Sequence, residues 1–280
     1  MLGLLSYDTL NLGDDIQSVA TRALMPDKCE PVRIMRDYLS LYSGPPVLMV
    51  LNGWWLHKTG NWPPAPAIRP LLTSFHVDRG AVQAVVTEHP EYLVRHGPVG
   101  CRDTNTLHTM TAHGIPCGLS RCMTMTLARR DTPRKGVVWC DVGRYSTFGD
   151  RTTQEGLKES VLGQASVTMH THCLEATRPS QERDDMANRS LDLLASAEMV
   201  VTSRLHVAMP CVAMGTPVLF VIDDGPSRAM DRFGGMLGCF DCVTGIHRFH
   251  GMARNPHVPQ FQEWADSLRQ QVRSFLSTVP

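Results

Sequence analysis

The sequence predicts an α/β fold built on parallel sheets, and three stretches carry that prediction. In Met199–Val221 (MVVTSRLHVAMPCVAMGTPVLFV) an apolar strand, a polar turn, a helix and a second apolar strand follow one another. That order is the βαβ unit of a parallel sheet. At the N-terminus the strand Leu2–Tyr7 enters the turn Asn11-Leu-Gly13-Asp14-Asp15, after which Ile16, Val19, Ala20 and Ala23 recur at helical spacing. The same grammar returns where Gly97–Asp103 leads into the helical run Thr106–His113, with Gly114 placed as its C-cap.

The remaining elements fall between these stretches. Gly13 permits unusual backbone angles in the opening turn, and Asp14 or Asp15 there is a natural helix cap. Pro45-Pro46 introduces a second strand, Val47–Leu51, which ends in Asn52-Gly53-Trp54-Trp55. Two aromatics after a strand suit either a sugar face or structural packing. A proline-rich loop precedes a third strand, Leu71–Val77, which carries His76. Glu91–His96 reads as a weak helix, and Cys117–Thr126 as a short strand region broken by Ser120-Arg121-Cys122.

The charged run Arg129–Lys135 (RRDTPRK) reads as a solvated linker dividing two domains, 1–130 and 136–280. A second α/β unit opens at Gly136 with VVWCDV. It continues through a helical segment Thr153–Leu162, a strand Ala165–His170, a helix Glu182–Ser196 and a helix capped by Asp223–Arg228. An amphipathic helix Phe261–Leu276 closes it.

Composition excludes several classes of function. The chain has 280 residues, 42% of them hydrophobic and 19% charged, as in an ordinary globular protein. Lys+Arg and Asp+Glu balance at 27 each, so no net field draws it to nucleic acid or an anionic membrane. Its longest apolar runs are too short to span a bilayer, and its N-terminus lacks the basic region and cleavage site of a signal peptide. A cytoplasmic location, with at most peripheral membrane contact, is expected. Nine cysteines scattered through apolar segments read as buried small hydrophobes in a reducing compartment. Cys239 and Cys242 form a single CxxC pair, and His170 and His172 share one face of a strand. We read no metal site and no cofactor from these.

The turn after Met199–Val201 lies at the carboxyl end of a strand, where open α/β sheets bind their ligands. Ser203 is placed as the N-cap of the following helix, whose free N–H groups and dipole favour an anion. Arg204 and His206 in its first turn supply a permanent cation and a titratable acid/base. The plainer reading is a cap, a solvated charge and a hydrogen-bonded core histidine.

Taken in order, Asn11-Leu-Gly13-Asp14-Asp15-Ile-Gln17, Asn52-Gly53-Trp54, Ser74-Phe-His76, Gly97-Pro-Val-Gly-Cys-Arg102-Asp103, Val201-Thr-Ser-Arg204-Leu-His206 and Gly215-Thr-Pro217 resemble the polysaccharide pyruvyl transferase family. The resemblance implies two Rossmann-like domains in a GT-B-like arrangement, with the active site in the interdomain cleft. It also implies transfer of the pyruvyl group of phosphoenolpyruvate to a sugar of a bacterial surface or exported glycan, forming a ketal. The family's Ser-Arg-Leu-His motif falls on Arg204 and His206, its Arg-Asp motif on Arg102-Asp103, and its Asn-x-Gly-Asp turn on Asn11, Gly13 and Asp14. Ser120-Arg121-Cys122 departs from an expected Ser-Gly-Cys, and the extra cation of Arg121 would alter acceptor choice.

On that resemblance Arg204, Arg102 and Ser203 bind phosphoenolpyruvate as co-substrate, and His206 delivers a proton to its methylene carbon. Asp103 or Asp14 takes the acceptor's proton. Asn11, Gly13, Asp14, Asn52, Trp54 and His76 line the acceptor side, with His172 and Arg121 in support. The acceptor is a sugar or lipid-linked oligosaccharide, and no nucleic acid is expected. Two other readings are a glycosyltransferase of the same scaffold using a nucleotide sugar and a non-catalytic glycan-binding component.

Overall fold

The computed structural model describes residues 1–55, 57–143, 166–222, 231–243 and 260–278. The first part of the chain supplies strands β1 (Leu2–Ser6), β2 (Val32–Met35), β3 (Val47–Trp55), β4 (Ile68–Val77), β5 (Val99–Cys101) and β6 (Cys117–Leu119). They form one sheet in the order β2-β1-β3-β4-β5-β6, with every pairing parallel. Helices α1 (Leu12–Arg22), α2 (Pro90–Arg95) and α3 (Thr104–Ala112) accompany it. β1 is buried along its whole length, which is why it reads as an unbroken apolar run rather than an alternating one.

Several expectations need correction here. β2 was not anticipated, because VRIM is short and Arg33 interrupts its apolar pattern, so the expected second and third strands are β3 and β4. The Cys117–Thr126 region is a strand of only three residues, followed by a 3-10 turn over Met123–Thr126. Asn11 caps α1, accepting a hydrogen bond from the Gly13 N–H at 3.1 Å, so neither Asp14 nor Asp15 is the cap. Gly13 lies in the first turn of α1 and is not among the residues with positive φ. Its service is space, since an added Cβ would come within 3.0 Å of the His206 Cβ. Trp55 is fully buried and stacks on Phe75, whereas Trp54, on the opposite face of β3, is half-buried.

The second sheet is built from β7 (Val137–Cys140), β8 (Val167–His170), β9 (Met199–Thr202), β10 (Val218–Val221) and β11 (Asp241–Val243). Its order is β11-β10-β9-β7-β8, again wholly parallel. Its helices are α4 (Ser180–Ala195), α5 (Leu205–Met214) and α6 (Phe261–Leu276). The expected helix Thr153–Leu162 and the cap Asp223–Arg228 lie outside the described residues. Val138, Cys140, Val200 and Phe220 face a large core shared with α1, α4 and α5. Val137, Trp139, Val201, Leu219 and Val221 alternate to the other face. No described helix is long and apolar enough to cross a membrane.

The two sheets are joined at several points. The Arg129–Lys135 run crosses between them, with Arg134 bonding the carbonyls that end α5. Gly215, left-handed at φ 79°, closes that helix. Residues 10–12 pair with 172–174 in a short antiparallel bridge, Leu12 N–H donating to His172 O at 2.8 Å and Leu174 N–H to Leu10 O at 2.9 Å. α6, although last in sequence, lies against the first part of the chain: Thr73 donates to Gln271, and Arg269 bonds the carbonyls of Thr126 and Leu127.

Between α1 and α4, Arg183 makes a buried bidentate pair with Asp15 at 2.9 and 2.6 Å and donates to Thr9 O at 2.6 Å. A desolvated charge that loses its partner is strongly destabilising, roughly 3–5 kcal/mol, whereas apolar replacement of both partners costs much less. Arg183→Met alone is therefore expected to lower the urea-unfolding free energy by about that amount. The double variant Asp15→Leu/Arg183→Met should be more stable than the single one.

Candidate active site

In each sheet the chain reverses its direction of progress at one place. The first sheet switches between β1 and β3, and the second between β7 and β9. Loops at the carboxyl ends of strands diverge at such switch points and leave a crevice for ligand. Asn11, Gly13 and Asp14 follow β1, Trp54 sits near the end of β3, Asp141 follows β7, and Ser203 and Arg204 follow β9.

These loops meet around a cavity of about 240 Å³. Nine residues singled out in the sequence line it: Asn11, Gly13, Asp14, Trp54, Arg102, His172, Ser203, Arg204 and His206. His57, Leu205, Arg232 and Phe233 complete the lining. Three guanidinium groups, Arg102, Arg204 and Arg232, thus face one small space, and Asp14 is the lining carboxylate. That balance suits an anionic ligand, with the fork of each guanidinium able to grip a carboxylate or phosphate at two points.

Local structure explains how Arg204 and His206 are presented. β9 runs one residue past the expected turn, so Arg204 occupies the N-cap position of α5 with extended backbone. Ser203 is therefore not the cap. The Thr202 hydroxyl instead accepts from the Arg204 N–H at 3.0 Å, and the Ser203 Oγ is buried with no hydrogen-bond partner among the described residues. With no side-chain cap, the Leu205 and His206 N–H groups at the start of α5 face no side-chain acceptor among the described residues, whereas the Val207 N–H donates to Arg204 O at 3.1 Å. Pro210, four residues beyond His206, has no N–H to bond the His206 carbonyl and its ring crowds that carbonyl. His206 accordingly leaves helical geometry at φ −82°, ψ 15°.

Arg204 is held by Asp141, whose carboxylate accepts from Arg204 Nε at 3.2 Å, from the His172 N–H at 2.9 Å and from the Thr171 hydroxyl at 2.7 Å. Asp141 adopts φ 48°, a left-handed conformation uncommon for a residue with a side chain. Arg204 also donates to Cys173 Sγ. On the other side Arg102 lies 3.5 Å from Asp103, which is completely buried, caps α3 by accepting from Thr106 N–H at 2.9 Å, and meets His76 Nδ1 at 2.5 Å. Burial alone would raise the Asp103 carboxyl pKa, but His76 and Arg102 hold it below the usual range.

Three histidines are shifted toward the neutral form. Burial pushes the His206 pKa well below its ordinary value, and Arg102, His172, Arg232 and Arg204 push it the same way. Its Nε2 has no partner among the described residues, while its Nδ1 lies 3.1 Å from where a Cβ on Gly13 would be. His172 is depressed to about 3, chiefly by burial and then by His170. His76 is lowered by burial and by Arg102, against the pull of Asp103.

With this geometry in view, the sequence relationships can be weighed. The chain matches the polysaccharide pyruvyl transferase family over residues 91–225. The match runs from α2 past β10 and includes Arg102, His172, Ser203, Arg204 and His206. No curated protein matches the sequence. Among solved structures, a functionally uncharacterised protein of Klebsiella pneumoniae subsp. pneumoniae NTUH-K2044 is 12% identical, with 87% of this chain and 93% of that chain covered at a TM-score of 0.49.

Not every residue that the family resemblance singled out reaches the cavity. His76 and Asp103 stand behind Arg102. Asn52 is buried, with its Nδ2 unpartnered among the described residues. Arg121 lies elsewhere: its guanidinium covers the ring of Trp264 at 3.3 Å and donates to Gly235 O, beside a separate groove along α6. Conversely, Asp141, His57, Arg232 and Phe233 were missed, as was Arg36. The Arg36 guanidinium lies buried between Asp37 at 2.8 Å and Asp14 at 3.6 Å, and over the rings of Tyr7 and Trp54. An Asp directly after the apolar strand VVWC was the one available signal for Asp141.

A histidine whose folded pKa is depressed binds fewer protons folded than unfolded, so stability is complete above the unfolded pKa of about 6.5 and falls as pH drops below it. For His172 the window extends from there to about 3. His76 and His206 shift in the same direction. Urea unfolding should therefore show stability declining from pH 7 to pH 5, each such histidine contributing up to roughly 1.4 kcal/mol per pH unit. His172→Asn should flatten that slope.

Proposed function

We propose that the protein transfers the pyruvyl group of phosphoenolpyruvate to two hydroxyls of a sugar in a surface or exported glycan, forming a ketal and releasing phosphate. The observation that carries this reading is the convergence of Arg102, Arg204 and Arg232 on a cavity that also holds His206. The family match supports the reaction class. In this reading the fold is a GT-B-like pair of Rossmann-like domains, with residues 1–130 on the acceptor side and 136–280 on the donor side. The cavity is the cleft between them, and α6 returns to the first sheet.

The donor carries a carboxylate and a phosphate, and Arg204 and Arg102 take one each, with Ser203 and the start of α5 adding hydrogen bonds. Before the donor binds, burial and then the surrounding cations hold the His206 pKa well below its ordinary value. A bound trianion reverses that field and lets His206 take up a proton, which it then delivers to the methylene carbon. The carbon–carbon double bond becomes a single bond as the first sugar oxygen attacks the central carbon. Asp14, the carboxylate lining the cavity, takes that hydroxyl's proton, while Asp103 positions Arg102. Phosphate leaves with the bonding pair of its C–O bond, and the second hydroxyl closes the ketal as its proton passes to the departing phosphate. Trp54, Asn11 and Gly13 face the acceptor. The reaction calls for no cofactor, and we place it in the cytoplasm.

A donor that binds only the folded state adds about 2.7 kcal/mol of stability at 100 times its dissociation constant. Phosphoenolpyruvate should raise the unfolding free energy in this way, and Arg204→Ala should abolish the effect. Stabilisation by a nucleotide sugar and not by phosphoenolpyruvate would overturn the reading. His206→Ala should fold normally and lose roughly 10²–10⁴-fold in turnover. Calorimetry in buffers of different ionisation enthalpy should detect proton uptake when phosphoenolpyruvate binds, with affinity rising as pH falls, and His206→Asn should remove that uptake.

A further inference from the structure

Behind the cavity, Cys140, His170 and His172 each bring one ligand-type atom to within 4.8 Å of the others. Cys140 ends β7 and is paired in register with His170 at the end of β8, so the sheet itself sets two of the three side by side. His172 follows two residues later and is almost wholly buried, as is Cys140, while His170 is half-buried. The two imidazole rings stand nearly perpendicular, 5.4 Å apart, and the Ser190 hydroxyl on α4 lies 2.8 Å from the Nε2 of each.

The polar groups of this cluster do not balance among themselves. A hydroxyl has one proton, so Ser190 donates to one Nε2 and accepts from the other. Whichever way that bond runs, His172 Nδ1 stays buried without a hydrogen-bond partner among the described residues. A buried polar atom left so costs free energy that a ligand would recover.

We propose that Cys140, His170 and His172 bind one borderline-soft divalent metal ion, with zinc the best fit. One thiolate and two imidazoles form a donor set that selects zinc over magnesium or calcium, and the fourth position is left to water. On binding, the Cys140 S–H bond breaks, its proton passes to solvent and a sulfur–metal bond forms, with no change of oxidation state. Closing the trio onto an ion requires the donor atoms to draw together by about 1 Å, since zinc–ligand distances are about 2.0–2.3 Å. The ion would tie β7 to the 170–173 segment. Asp141 and Cys173, the two groups that hold Arg204, are the neighbours of Cys140 and His172. It would act as a clasp behind the anion-binding wall, independently of which donor the cavity takes.

Chelator-treated protein titrated anaerobically with cobalt(II) tests this directly. The expected result is one equivalent bound, with the visible bands of a tetrahedral ion and a near-ultraviolet thiolate-to-cobalt band, both removed by one equivalent of zinc. Cys140→Ser should lose the thiolate band. His170→Gln, at the more accessible ligand, should weaken binding by more than the roughly 10–100-fold typical of outer-shell partners, with unchanged circular dichroism. Absence of stoichiometric binding would overturn the proposal. So would a cobalt spectrum unaltered in both variants, which would put the ion elsewhere, as at Cys239 and Cys242.

Discussion

A guanidinium that shares a small cavity with two others has every electrostatic reason to swing away, and in this chain one carboxylate prevents it. Asp141 grips Arg204 through Nε and draws on the His172 N–H and the Thr171 hydroxyl as well. The pair spans the switch point between β7 and β9, so the sheet topology brings the two residues of this contact together. Asp141 holds left-handed backbone geometry to make it, a local cost of about 1–3 kcal/mol that such sites commonly carry. On the first sheet Asp103 does the corresponding work for Arg102, also at the end of a strand.

The crowding of positive charge sets the state of everything near it. Burial, and then the charges of Arg102, Arg232 and Arg204, disfavour a proton on His206, and its Nε2 is left without a partner among the described residues. That arrangement is unfavourable for an empty protein and favourable for one that has taken in an anion, because the ligand supplies the missing negative charge. Pro210 and Gly13 make the placement feasible: one releases His206 from helical geometry, and the other leaves room for its ring against α1.

Much of this was legible in the sequence, and the failures have physical causes. The βαβ grammar of 199–221 was readable because unbroken apolar runs flank a polar turn and a helix closed by glycine, and the helix 261–276 because it presents a strong apolar period. β2 escaped because four residues with an arginine among them give no period. Residues at strand ends were readable as ligand-facing, since parallel sheets bind there, and Asn11, Arg102, Arg204 and His206 do line one cavity. Side chains that act by holding others were harder to see. Asp141 acts through partners 30 or more residues away, and Arg36 reaches Asp14, Tyr7 and Trp54 as well as its neighbour Asp37; no spacing rule reports those distant partners. Arg121 shows the reverse: a conspicuous extra cation in sequence spends its charge on Trp264, away from the cavity.

The seam between α1 and α4 bears on how any ligand enters. The Asp15–Arg183 pair and the backbone bridge between residues 10–12 and 172–174 lie beside the cavity and link the two sheets. Swinging the sheets apart there would strip two desolvated charges of each other and break ladder hydrogen bonds that water would have to replace. The molecule is thus riveted at the rear of its binding chamber. Access that keeps this seam closed, through rearrangement of rim side chains such as Trp54 and Arg232, asks far less of the structure than hinged opening.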